Sequence, residues 1–134
     1  MRTRRLVVVK IEGCHIMIEE LIARVFATRN AAHLEHWRVK SGYTHETLGA
    51  FYDDIVGKLD RVVESNVALF GQVSVGALPA QPKVQNIISH LEDDLLWIGK
   101  NRKDIGGKVP AIDNMIQDLE GAYIDTLFKL KNLS

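Results

Sequence analysis

Apolar residues recur every three or four positions in four blocks of the chain, and this spacing is typical of amphipathic α-helices. The blocks cover about residues 12–37, 44–70, 82–103 and 110–133. Glycine and proline fall mostly between the blocks, and Pro82 and Pro110 stand where a proline suits the first turn of a helix. The pattern therefore predicts an all-α fold of four helices.

Each block carries one stripe of residues that we expect in a shared core. In the first two blocks the stripes are Ile18, Leu21, Ile22, Val25, Ala32 and His36, and Leu48, Phe51, Tyr52, Ile55, Leu59, Val62 and Leu69. In the last two they are Val84, Ile87, Ile88, Leu91, Leu95 and Ile98, and Ile112, Met115, Ile116, Leu119, Tyr123, Leu127, Leu130 and Leu133. His36 therefore continues an otherwise apolar face.

The connections between the blocks predict how the helices pair. Residues 41–43 and the glycines Gly106 and Gly107 form short turns, so we expect two antiparallel hairpins. Residues 71–81 are a longer connection that reaches roughly 36 Å when extended, close to the ~39 Å length of a 26-residue helix. Two hairpins joined by such a crossover give a ferritin-like four-helix bundle; the alternative is an ordinary loop without a crossover.

Length and charge limit the classes of function. The chain has 134 residues, which is the size of a single domain covering residues 1–134. Lys plus Arg equals Asp plus Glu at 17 each, so no overall positive charge points to nucleic acid. A local basic bias lies in residues 1–11, which we expect to form an N-terminal tail carrying Arg2, Arg4 and Arg5.

Cysteine content and hydropathy bear on location. The single Cys14 has no partner for an internal disulfide, which favours a reducing compartment. No apolar run approaches the roughly 20 residues that cross a bilayer, and the run at residues 6–9 is too short for a signal peptide. We therefore expect a cytoplasmic protein without membrane association.

Three histidines are candidates for metal binding. His33 and His36 share one face of the first helix, and His45 opens the second helix just after the turn, so all three lie towards one end of the bundle. Imidazole is the commonest protein ligand of transition metals, and imidazoles beside carboxylates suit zinc or iron. The alternative is a solvated or hydrogen-bonded pair of histidines.

Asp60 and Glu64 are candidate carboxylate ligands on the second helix. They lie four residues apart and therefore present their side chains together. His45 precedes Asp60 by 15 residues, which corresponds to roughly 22 Å along a helix. Either the histidines and the carboxylates have unrelated roles, or the site is assembled from two chains.

These residues together resemble a known family, the Dps branch of the ferritin-like superfamily (DNA protection during starvation). The resemblance rests on the type and spacing of His36-Trp37, Gly42, His45, Phe51-Tyr52, Asp60 and Glu64. It implies a ferroxidase site across a two-fold subunit interface. His36 and His45 would come from one subunit and Asp60 and Glu64 from the next. His33 remains a candidate metal ligand because of its position three residues before His36, not because of the resemblance.

The resemblance also implies partners. Non-haem iron is the expected metal, with zinc as the alternative, and the expected assembly is a homo-oligomer of at least two and up to twelve subunits. Arg2, Arg4 and Arg5 would bind DNA, as the N-terminal tails of some Dps proteins do. The layout resembles small uncharacterised ferritin-like proteins of bacteriophages more closely still, which places the protein in a bacterial cytoplasm or a virion.

Departures from the family pattern favour a second interpretation. The segment between His36 and His45 is about three residues shorter than in typical Dps proteins, and Ser65 stands where an Arg usually follows the ligand Glu. These differences favour a non-catalytic ferritin-like assembly or structural protein. Helices three and four lack Glu-x-x-His pairs, so we expect no di-iron centre within one bundle. We expect their acidic residues, including Asp94, on solvated faces.

Overall fold

The computed structural model describes residues 2–73 and 86–134, with side chains described for residues 17–73 and 86–134. The helices are α1 (Arg2–Arg38), α2 (Gly42–Phe70), α3 (Ile87–Asn101) and α4 (Pro110–Asn132), with a 3₁₀ turn at Arg102–Ile105. Over these residues no strand forms. The predicted all-α bundle of four helices is confirmed.

Two helix starts differ from the pattern. The backbone of α1 is helical from Arg2, so the residues expected as a basic tail belong to this helix, and no proline interrupts them. α3 was expected from Pro82, but residues 82–85 lie outside the described residues. Its described part begins at Ile87 and is capped by Asn86, whose Oδ1 accepts a hydrogen bond from the Ile88 N–H at 2.9 Å.

The four helices form a square in which each helix has two neighbours. α1 packs on α2 and α3, and α4 packs on α2 and α3. Lys58 of α2 pairs with Asp118 of α4 at 2.9 Å, and the Arg24 guanidinium of α1 lies 4.9 Å from the centre of the Trp97 ring of α3. α1 and α4, like α2 and α3, are therefore diagonal.

The two ends of α4 show how α2 and α3 are connected. Asn66, near the end of α2, donates from Nδ2 to the Ile105 carbonyl oxygen at 3.1 Å, just before α4 begins. Glu92, near the start of α3, pairs with Lys131 at the end of α4 at 2.8 Å. The chain between Phe70 and Ile87 therefore leads from one end of the bundle to the other. Of the expected crossover 71–81, residues 74–81 lie outside the described residues.

Most of the described stripe residues are buried in one core, which runs the length of the square. Two predicted core positions are wrong, because Leu69 and Leu133 are exposed. Leu69 is in the last turn of α2, one residue before the helix ends at Phe70. Leu133 follows the last residue of α4, so helical periodicity no longer directs its side chain inwards.

Candidate functional site

The last turn of α1 and the first turns of α2 bring the three predicted histidines together with two aromatic side chains. The His36 and His45 rings stack with centroids 3.6 Å apart and an interplanar angle of 18°. The His33 ring stacks on Tyr52 with centroids 4.0 Å apart and lies 4.6 Å from Trp37. The predicted proximity of His33, His36 and His45 is therefore present within one chain.

His36 and His45 are joined by two reciprocal hydrogen bonds. His36 Nδ1–H donates to the carbonyl oxygen of His45 at 2.6 Å, and His45 Nδ1–H donates to the carbonyl oxygen of His36 at 2.7 Å. A carbonyl only accepts, so each Nδ1 carries a proton. In the neutral rings Nε2 then holds the lone pair. Metal-binding histidines commonly have this arrangement, in which the second ring nitrogen donates to a carbonyl or a carboxylate.

Gly49 allows the His36 ring to approach α2. A Cβ atom at residue 49 would lie 3.1 Å from His36 Cε1 and 3.3 Å from Nδ1, closer than nearly all real Cβ contacts. The sequence prediction missed this residue. Its signal was a glycine inside a helix, four residues after His45, where glycine costs about 1 kcal/mol relative to alanine.

Asp60 and Glu64 are not near the histidines of their own chain. Both are exposed on α2, and neither makes an ion pair or hydrogen bond within the part of the chain whose side chains the structure describes. Asp60 follows Gly49 by eleven residues, about three helical turns, so both lie on the same side of α2. We call the outward side of the α1–α2 hairpin, from His33 to Asp60 and Glu64, the hairpin face.

One chain does not assemble a complete metal site in the described region. Among residues 17–73 and 86–134, no group of three or more His, Cys, Asp or Glu side chains is placed to hold a metal ion. His36 and His45 offer two imidazole lone pairs. Asp60 and Glu64, which make no ion pair in the described region, lie further along α2. The donor set fits a transition metal only if a second chain supplies the missing ligands.

A buried polar cluster joins α1, α3 and α4. Asp94, only 4% exposed, accepts hydrogen bonds at Oδ2 from the Thr28 hydroxyl and from the Tyr123 hydroxyl, the latter at 2.8 Å. The Arg24 guanidinium lies 3.7 Å from Asp94 Oδ1. The expectation that Asp94 lies on a solvated face is therefore wrong. Its position on the stripe, three residues after Leu91, was the overlooked signal.

Burial sets the ionisation of this cluster. It raises the pKa of Asp94, an effect opposed by the hydrogen bonds from Thr28 and Tyr123 and by the charge of Arg24. Burial and the adjacent Asp94 also raise the pKa of Tyr123 well above its ordinary value. These groups satisfy one another and connect three helices, which is a structural role.

Comparison with protein-family models, curated proteins and solved structures found no match to this chain. Within the described residues, no helix combines the length and the apolar character that a membrane crossing requires. The histidine cluster and the hairpin face are the features of this chain that bear most directly on function.

Proposed function

We propose that this protein is a ferritin-like, Dps-like iron-binding protein that oxidises Fe(II) at sites shared between two subunits. The observation that carries the proposal is the reciprocal pair of hydrogen bonds between His36 and His45. Both Nδ1 atoms donate to backbone oxygens, so the two Nε2 lone pairs are free to bind a metal ion. Iron is the substrate here, with zinc as a competing metal.

The remaining ligands come from a second subunit. Two imidazoles leave the coordination of iron incomplete, and carboxylates are suitable additional ligands. Asp60 and Glu64 are exposed, four residues apart and without a partner in the described region of their own chain. When His36 and His45 of one subunit meet Asp60 and Glu64 of the other, ferrous iron is held for oxidation by peroxide or dioxygen.

The order of ligands along the hairpin face determines how two subunits would pair. His36 and His45 lie at one end of the face, while Asp60 and Glu64 lie towards its other end. A two-fold axis midway between the ends would place the histidines of each subunit against the carboxylates of the other. Each dimer then contains two equivalent sites, and larger assemblies up to the dodecamer contain several such dimers.

DNA protection is a further part of the proposal. Arg2, Arg4 and Arg5 would contact phosphates, although their side chains lie outside the described part of the structure. A few such contacts give weak binding that falls steeply with salt concentration. Oxidation of iron consumes peroxide that would otherwise damage bound DNA.

Subunit mixing tests the shared site. His36→Asn/His45→Asn removes both Nε2 atoms but keeps an N–H donor near each Nδ1 position, and Asp60→Asn/Glu64→Gln removes the carboxylate charges with little change in shape. Each variant alone should lose ferrous-iron oxidation while retaining wild-type helicity. An equal mixture, unfolded and refolded together, should recover about a quarter of wild-type activity, because half of the dimers are mixed and each has one complete site.

The mixing experiment also tests whether one chain could hold the whole site. No recovery in a well-folded mixed dimer, or full activity in either variant alone, would refute the shared site. Anaerobic titration of wild-type protein with Fe(II), with Zn(II) in parallel, measures binding without oxidation. A folded oligomer that binds neither ion would favour the alternative, a non-catalytic assembly protein, which agrees with the absence of a three-ligand cluster among the described residues.

A further inference from the structure

The outward side of the α3–α4 hairpin carries the large apolar residues Leu96, Ile124 and Phe128. Leu96 is 74% exposed, the largest exposed fraction among the described large apolar residues, and Ile124 and Phe128 are 55% and 53% exposed. Exposed apolar side chains that lie together commonly mark an interaction surface.

One ion pair sets the level of the three residues along the two helices. Glu92 of α3 and Lys131 of α4 meet at 2.8 Å across the outer edge of the two helices. Leu96 lies one turn after Glu92 on the same side of α3. Phe128 and Ile124 lie one and two turns before Lys131 on the same side of α4. We call these three residues the outer patch.

Charges flank the outer patch with opposite signs. Asp93 precedes Leu96 by three residues and Lys100 follows it by four, and both are exposed. Neither makes an ion pair within the region whose side chains are described. The outward side of α3 is therefore acidic before Leu96 and basic after it.

We propose that the outer patch is a two-fold interface with a second copy of this chain. When two α3 helices pack antiparallel about an axis near Leu96, the apolar residues of the two patches cover one another. Asp93 of each chain then lies beside Lys100 of the other chain, so the contact forms twice. An exposed apolar patch whose flanking charges complement those of a second copy identifies the same chain as its partner.

The interface is independent of the proposed function. α1 and α2 occupy one side of the square of helices and α3 and α4 occupy the opposite side, so the outer patch and the hairpin face point in opposite directions. With one two-fold contact on each side, assembly continues past the dimer. It closes with an even number of subunits where the two axes intersect and otherwise extends as a chain.

Charge exchange at residues 93 and 100 tests the interface. In the proposed dimer, Asp93→Lys places a lysine opposite Lys100 at both contacts, and Lys100→Asp places an aspartate opposite Asp93 at both contacts. The double variant again has opposite charges at both contacts. At low ionic strength, sedimentation velocity over a range of concentrations should show at least about tenfold weaker association for each single variant. The double variant should associate like the wild type. An equal mixture of the two single variants should also associate, because their charges are complementary.

Apolar substitutions provide the second arm of this test. Leu96→Ala should weaken association, while the matched control Leu69→Ala, at an exposed leucine on α2, should leave it unchanged. A wild-type protein that stays monomeric would overturn the proposal. So would equal masses for all variants, or failure of both the double variant and the mixture to associate. The outcomes separate the two proposals: a monomeric wild type would refute both, whereas an oligomeric wild type whose association is unchanged in all of these variants would refute the outer patch alone and leave the hairpin-face site standing.

Discussion

The backbone of Gly49 lies against the His36 ring so closely that a side chain at residue 49 would disturb the ring. The Cβ of an alanine there would lie 3.1 Å from His36 Cε1. The ring is held on its other sides by stacking on His45 and by the hydrogen bond from Nδ1. The glycine therefore helps to set the orientation of one proposed iron ligand.

Gly49→Ala should be less stabilising than the same change at Gly57. Gly57 is exposed in the same helix, and no atom lies within 4 Å of the position that a Cβ would take there, so Gly57→Ala should raise the free energy of unfolding by about 1 kcal/mol. Gly49→Ala should lose that gain because His36 must move. Urea denaturation measures both. An equal gain at the two positions would contradict the close approach of Gly49 and His36.

Tyr123→Phe should destabilise the bundle through loss of one buried hydrogen bond. The Tyr123 hydroxyl donates to Asp94 at 2.8 Å, and its removal leaves the buried carboxylate with fewer donors. We expect a loss of about 1–3 kcal/mol in the free energy of unfolding. Tyr43→Phe, at an exposed tyrosine, is the matched control and should change it by less than about 0.5 kcal/mol. Similar losses in both variants would argue against the buried contact.

Asp94→Asn should change how stability depends on pH. Burial raises the pKa of Asp94 in the folded protein above its ordinary value of 3.8, so the unfolded chain loses this proton first as pH rises. Ionisation of Asp94 therefore favours unfolding, and its protonated form stabilises the folded protein. This stabilisation is fully present below pH 3.8 and is lost as pH rises through the folded-state pKa. Over that interval the free energy of unfolding of the wild type should fall relative to that of Asp94→Asn. At higher pH the difference between the two proteins should stay constant.

Denaturation curves between about pH 4 and pH 8 measure this difference. Asp53→Asn, at an exposed carboxylate of α2, corrects for the general effect of one fewer negative charge. The groups facing Asp94 are Arg24 and Thr28 from α1, His90 on its own helix and Tyr123 from α4. A stability difference that rises with pH in favour of the wild type would refute the assigned effect of burial.

Local periodicity predicted the helices because a side chain every three or four residues faces the same side of a helix. Ile55 and Leu119, for example, are buried as the pattern requires. The same rule failed at Leu69, in the last turn of α2, because a position on the stripe is buried only where other parts of the fold cover it. Periodicity places Asp94 on the buried stripe of α3, three residues after Leu91, whereas its charge predicts an exposed position.

The all-α class, the four helical segments and the grouping of His33, His36 and His45 at one end could be predicted from local patterns, since a short turn leaves little freedom in how two helices pair. The stacking and reciprocal hydrogen bonds of His36 and His45, and the hydrogen bonds that Asp94 accepts from Thr28 and Tyr123, could not. These depend on the distance and rotation of one helix against another. Packing of the whole core fixes both quantities, and no local pattern encodes them.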